Sequence, residues 1–185
     1  QNVMWNILTG MGVDISTGQI ANIILGNKGV DFESEMDAAR IAGMEKQDHV
    51  GIDDTGARIV GKDGATIVTG NDYFAAYRTN PSKNRLAACT ALAGVSELRY
   101  CLNKTAIKYI DEKIRNKNLV RMLRKMVSDL LYSEAEFSLK ILGLPLVKNQ
   151  ITAWKKHIRD ASAIGALRSK FIPARTSILI CDDAP

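Results

Sequence analysis

The sequence predicts an α/β protein, and three observations carry that expectation. Between Asp48 and Arg78 the apolar pattern has a period of two and is cut by tight-turn residues, as in short antiparallel strands. On either side of that stretch the period lengthens to that of helices. Two short apolar runs, Val50-Gly51-Ile52 and Ile178-Leu179-Ile180-Cys181, each lead into a pair of aspartates, Asp53-Asp54 and Asp182-Asp183. Both runs read as buried strands that deliver carboxylates to a strand end, where α/β sheets place their chemistry. If the two strands are neighbours, like charges about 4 Å apart repel by roughly 4 kcal/mol at an effective dielectric of about 20. Such a pair shares a proton or holds a cation, and oxygen donors without His or Cys favour Mg²⁺ or Mn²⁺.

The elements follow in order. Residues 3–8 are helix-compatible, and Gly10 and Gly12 interrupt them. Ser16-Thr17-Gly18-Gln19 has the spacing of a capping box, and Ile20, Ile23 and Ile24 continue at helical spacing until Gly26. Helix, glycine turn and capped helix make the outline of a helix-turn-helix, an outline shared by many helical hairpins that bind nothing. Asp31 to Gln47 reads as another helix, its first turn enriched in acids. Strands are expected through Val50-Asp53 and on to Val60, over Ala65–Thr69 and over Tyr73–Arg78. The turns between them fall at Gly61-Lys62-Asp63-Gly64 and Gly70-Asn71-Asp72.

After Pro81 come helices over Ser82–Ala93, Lys104–Arg115, Leu119–Leu142 and Val147–Lys170, with a second cap at Ser133-Glu134-Ala135-Glu136 that would split the third. Thr176–Cys181 closes the series as an apolar strand. A three-strand antiparallel meander, a helix and a fourth, carboxylate-bearing strand form the start of an RNase H-like core. This gives residues 1–47 as an N-terminal helical region, 48–93 as the first part of the core, 94–172 as a large helical insertion and 173–185 as the fourth core strand.

The totals narrow the function classes. With 185 residues, 46% hydrophobic and 24% charged, the chain has ordinary globular composition. No apolar run approaches a membrane span and no signal peptide is visible, so a cytoplasmic setting is expected. Three cysteines without C-x-x-C spacing give no disulfide framework or zinc site. Residues 1–77 hold 5 Lys/Arg against 11 Asp/Glu, and residues 78–185 hold 20 against 9. A basic block beside an acidic strand region suits a polyanion lying over a metal-loaded site, or a set of solvated helix faces.

Asp53-Asp54-Thr55-Gly56-Ala57-Arg58, Gly61-Lys62-Asp63-Gly64, Gly70-Asn71 with Phe74, and Ser82-Lys83-Asn84-Arg85 together resemble the catalytic core of bacterial insertion-sequence DDE transposases. Ile180-Cys181-Asp182-Asp183-Ala184 resembles that group's second catalytic strand, with Cys in place of Ser. The likeness is specific over residues 48–90 and 177–185 and topological between them. It implies an RNase H-like enzyme of the retroviral-integrase superfamily, acting on DNA (transposon ends and target) with two Mg²⁺ or Mn²⁺ ions, as a homo-oligomer. It further implies Asp53 and Asp182 as the catalytic, metal-holding acids, with Asp54 and Asp183 as runners-up. Strand alternation lets Asp53 and Asp54 share one site only where the strand ends. The family's third acid, a Glu on a later helix, has no counterpart before Pro185. The sequence, which begins at Gln1, therefore reads as a piece of a longer protein, inactive alone in strand transfer.

Other residues carry two readings each. Lys62 in the hairpin turn, and Lys83 and Arg85 at the start of the helix that follows the meander, are DNA-backbone contacts or plain surface cations. Thr55 orients the acid pair or is an ordinary strand residue. Arg121, Arg124 and Lys125, and likewise Lys155, Lys156 and Arg159, form basic helix faces open to the same choice. Trp5 and Trp154 read as packing anchors, Cys181 as a small buried hydrophobe, and His49 and His157 as non-ligands. Two other classes compete with the transposase core. One is a DNA-binding module without catalysis, which metal binding would discriminate. The other is a receiver-like acidic site on the last strand, which leaves the D-D-T-G-A-R element unexplained.

Overall fold

The computed structural model describes residues 2–25, 29–59, 61–143 and 151–181. The chain divides into two compact units, Gln1–Ala39 and Arg40–Pro185.

In the first unit, α1 (Asn2–Gly10) and α2 (Thr17–Leu25) form a helical hairpin, followed by the part of α3 (Gly29–Lys46) that reaches Ala39. The expected capping box is present. The Ser16 N–H donates to Gln19 Oε1 at 2.8 Å and the Gln19 N–H donates to Ser16 Oγ at 3.2 Å. Trp5 Nε1 donates to the Ile15 carbonyl at 2.9 Å and closes the hairpin. Ile20 is buried, whereas Val3, Ile7, Met11 and Ile24 are exposed.

The second unit is a mixed α/β body. β1 (His49–Ile59), β2 (Lys62–Asn71) and β3 (Phe74–Asn80) make the expected antiparallel meander. Five helices follow: α4 (Arg85–Ala93), α5 (Lys104–Lys113), α6 (Lys117–Lys125), α7 (Glu134–Leu142) and α8 (Ile151–Ala166). α8 runs into a π-helical turn, Leu167–Phe171. β4 (Ile178–Cys181) then returns to lie parallel to β1, giving the strand order β3-β2-β1-β4. Among the described residues this makes four strands and eight α-helices, and no described helix is long and apolar enough to cross a membrane.

Local chemistry sets most boundaries. Asn84, Asn103 and Asn116 cap α4, α5 and α6 by accepting from backbone N–H groups in the first turn. Ser133 and Glu136 form a complete capping box at α7. That cap divides the helix expected over Leu119–Leu142, as α6 ends at Lys125. Residues 147–150, the start of the expected final helix, lie outside the described residues.

Three expectations are corrected. The chain reverses between Ile59 and Lys62, with Gly61 at φ +77°, so Lys62, Asp63 and Gly64 are β2 residues paired to β1 and not the turn itself. β1 does not end at the aspartates, because β2 pairs with it from Gly51 to Ile59 and keeps it extended through Asp53 and Asp54. β4 is not buried: Ile178, Leu179 and Ile180 are 49%, 43% and 53% exposed, and Cys181 is exposed as well. Among the described residues β4 has one strand neighbour, which leaves its other edge uncovered.

The helices expected as an insertion do not form a separate core. Met44, Val50, Leu92, Ile110, Phe137 and Ile158 belong to one continuous apolar cluster shared by sheet and helices. Buried Arg40 clamps the C-terminal end of α4, donating to the Leu92 and Ala93 carbonyls at 2.7 and 3.0 Å. β4 is steered to β1 by two ties. Thr176 Oγ1 donates to the Met44 carbonyl at 2.8 Å, and Arg168 donates to the Thr176 and Ser177 carbonyls at 2.9 and 3.2 Å.

Candidate functional site

The sheet register decides where each acid of the first pair lies. Residues directly opposite in an antiparallel ladder share a face, and successive residues alternate faces. Asp54 is opposite Ile67, which is buried against Ala87 and Ala91 of α4. Asp54 is thus on the helix-covered face. Asp53 is opposite Val68 on the other face and is exposed. Because β1 continues past both, the pair is split between faces. Asp53 Oδ1 accepts from the Asp54 N–H at 2.7 Å, and Asp54 is ion-paired with Lys83. Thr55 is exposed opposite Thr66.

The parallel pairing of β1 with β4 begins at His49 opposite Ile178 and ends, within the described residues, at Ile52 opposite Cys181. Asp53 follows Ile52 in β1. Asp182 and Asp183, which follow Cys181 in the sequence, lie outside the described residues. Among the described residues no group of three or more His, Cys, Asp or Glu side chains is arranged to hold a metal ion. Of the two predicted acids that are described, Asp54 is already engaged by a cation and Asp53, among the described residues, is not.

The predicted cations separate. Lys62 is exposed at the start of β2. Lys83 and Arg85 flank the Asn84 cap of α4 and enter a cleft of about 800 Å³ whose other walls come from α7 and α8. Lys155, Lys156 and Arg159, separate in sequence from Lys83, line the same cleft. Two acids that motif reading did not single out organise it. Asp160, only 3% exposed, accepts from Arg85 Nη1 at 2.9 Å, and Glu134 accepts from Arg159 Nη2 at 2.8 Å. A signal for Asp160 was present, since it is a lone acid between Ile158 and Ala161 on the apolar face of its helix.

The guanidinium groups also sit over aromatic rings, Arg85 at 5.8 Å from the Tyr109 centroid and Arg159 at 5.9 Å from that of Tyr100. Burial, and then its hydrogen bond with Glu134, pushes the Tyr100 hydroxyl up to about 12. Burial, followed by the nearby Asp160 charge, pushes the Cys89 thiol up to about 11. Both groups are neutral at physiological pH and serve as packing.

No family model matches the chain, and no solved structure matches it. It is similar to an uncharacterized protein, y4jO, of Sinorhizobium fredii, with 36% identity over 83 residues; the match covers 45% of this chain and 26% of that protein.

Proposed function

We propose that the chain is part of a DDE transposase core of RNase H-like fold, in which Asp53 and Asp182 hold Mg²⁺ or Mn²⁺ and act on DNA. The observation that supports this reading best is the sheet order. The second aspartate-bearing run is carried to the first as a parallel neighbour, with the register intact up to Ile52 and Cys181. Asp53 is one residue beyond that pair, as Asp182 is in sequence, and the reading requires the register to continue one step further.

The donor set fits the ion class, since both members are carboxylates. Bound divalent cations would supply the activation of a water or DNA 3′-hydroxyl and the stabilisation of a leaving oxygen. The residues of the chain divide the remaining work. Lys83 neutralises Asp54 on the helix-covered face, which leaves Asp53 as the acid without a cationic partner among the described residues. Asp54 and Asp183 are the alternates if the ion is held from the other face. Lys83 and Arg85 would meet a DNA-backbone phosphate as cations already paired, with Asp54 and Asp160, and Lys62 is suited only to an outlying one.

Mn²⁺ titration of the protein, with the Asp53→Ala and Asp182→Ala variants in parallel, tests the reading. Outer-shell partners of a metal are themselves worth about 10–100-fold in affinity, so loss of either ligand should weaken Mn²⁺ binding by at least about tenfold. Asp53→Ala binding Mn²⁺ as tightly as the parent would sink the assignment. A second reading, a DNA-binding module without catalysis, draws support from the Lys83–Asp54 ion pair, since a carboxylate neutralised by lysine is a poor metal ligand. DNA binding with no Mn²⁺ uptake in the parent would select it.

A further inference from the structure

We propose that the cleft bounded by the start of α4, α7 and α8 is a channel for a phosphodiester backbone, with Lys155 and Lys156 of α8 as its anion contacts opposite Lys83. The choice of nucleic acid as occupant rests on the reading above, while the anion preference rests on the cleft itself.

The charge distribution carries the argument. Five cations line the cleft against two acids, Glu134 and Asp160. The two arginines already hold those acids, and Lys83 holds Asp54. Lys155 and Lys156 have no carboxylate partner among the described residues, yet they are adjacent on one helix and line one cavity. Two cations lining one partly enclosed space favour an anion there and disfavour cationic guests.

The shape and floor of the cleft narrow the class of anion. About 800 Å³ is far more than a lone phosphate fills, and Lys83 places one end of the cleft beside the sheet acid Asp54. The floor includes Phe137, but that ring is 2% exposed and stacked on Tyr100 with centroids 5.0 Å apart. No face of it is open for a base to stack on, so the lysines, which suit backbone phosphates, are the main contacts the cleft offers a nucleic acid. The arginines, fixed by their acids and by the tyrosine rings beneath them, form rigid walls, and the lysines supply the mobile charge.

The test is fluorescence anisotropy of a labelled short DNA duplex bound to the protein in EDTA, so that metal-holding acids play no part, repeated over a series of salt concentrations. Each phosphate contact contributes about 0.9 to the slope of log affinity against log salt, so Lys155→Ala/Lys156→Ala should lower that slope by about 1.8. Lys155→Arg/Lys156→Arg should keep it, which separates loss of charge from loss of fold. Three results would overturn the proposal: no binding of the duplex by the parent, an unchanged slope in the double alanine variant, or displacement of the duplex by inorganic phosphate as readily as by unlabelled DNA at equal phosphate concentration. Failure of the Mn²⁺ titration with the salt slope as expected refutes the metal site alone, and the reverse outcome refutes the cleft alone.

Discussion

Asp160 is the residue on which the cleft depends most. Its side chain is 5% exposed, and the carboxylate is held by Arg85 Nη1 at 2.9 Å. A buried carboxylate deprived of its partner commonly costs about 3–5 kcal/mol, and because Arg85 is half exposed a smaller value applies. Arg85→Ala should therefore destabilise the protein by about 2 kcal/mol in urea unfolding. Adding Asp160→Asn, which removes the stranded charge and keeps the shape, should restore much of the loss. A single variant as stable as the parent, or a double variant no better than the single, would show that Asp160 finds its compensation elsewhere. Residue-level legibility was uneven for a physical reason. The D-D-T-G-A-R run is visible in sequence, and period-two alternation already implies that Asp53 and Asp54 part company in a continuous strand. Which of them meets Lys83 depends on which face α4 covers, and that is set by packing between distant segments.

At the scale of the element, the helix starts were written locally. Ser16 with Gln19 and Ser133 with Glu136 are side chain–backbone exchanges across three residues, so their spacing alone announces them. Asn103 does more than cap. Its Oδ1 accepts from the Ala106 N–H at 3.0 Å, and its Nδ2 donates to the Gly165 carbonyl at 3.0 Å, so one side chain ties the start of α5 to the end of α8. The approach is close because residue 165 is glycine: a Cβ there would lie 2.6 Å from the Cys101 carbonyl oxygen and 2.7 Å from Asn103 Oδ1. Asn103→Ala should cost about 1–2 kcal/mol, roughly 1 for the cap and the rest for one lost hydrogen bond, since the Gly165 carbonyl still accepts from Ser169 Oγ at 2.8 Å. Asn103→Asp keeps the cap acceptor but sets a carboxylate oxygen against the Gly165 carbonyl at a buried position, so it should be at least as destabilising as Asn103→Ala. Equal stability of Asn103→Ala and the parent would refute the tie. The strand ends were less legible, since the length of β1 and the exposure of β4 are decided by what pairs with each edge, which no local pattern encodes.

On the scale of the whole molecule, the second unit has one apolar core that runs from the sheet through every helix from α4 to α8. The meander was legible because its contacts are between neighbours in sequence. The parallel β1–β4 contact spans more than a hundred residues and was foreshadowed only by the repeated aspartate pair. A shared core couples the ionisation of any group inside it to unfolding of the whole unit, and Cys89, Cys101 and Tyr100 bind protons more tightly when folded. The Cys89 thiol rises from 9.0 to about 11 and the Tyr100 hydroxyl from 10.0 to about 12. In both cases the folded value lies above the unfolded one, so the stabilisation is fully present below the unfolded value and is lost as pH climbs toward the folded value. Stability should hold up to about pH 9 and then fall, first through Cys89 and Cys101 and from about pH 10 through Tyr100 as well. One proton difference corresponds to a slope of about 1.4 kcal/mol per pH unit. Urea midpoints measured across this range should decline in the parent and decline less steeply in Cys89→Ala, where the Cys101 thiol, also raised by burial, and Tyr100 still lose their protons. A profile with no decline above pH 9 would mean that the core holds none of these groups neutral, and a slope unchanged by Cys89→Ala would mean that it does not hold Cys89 so.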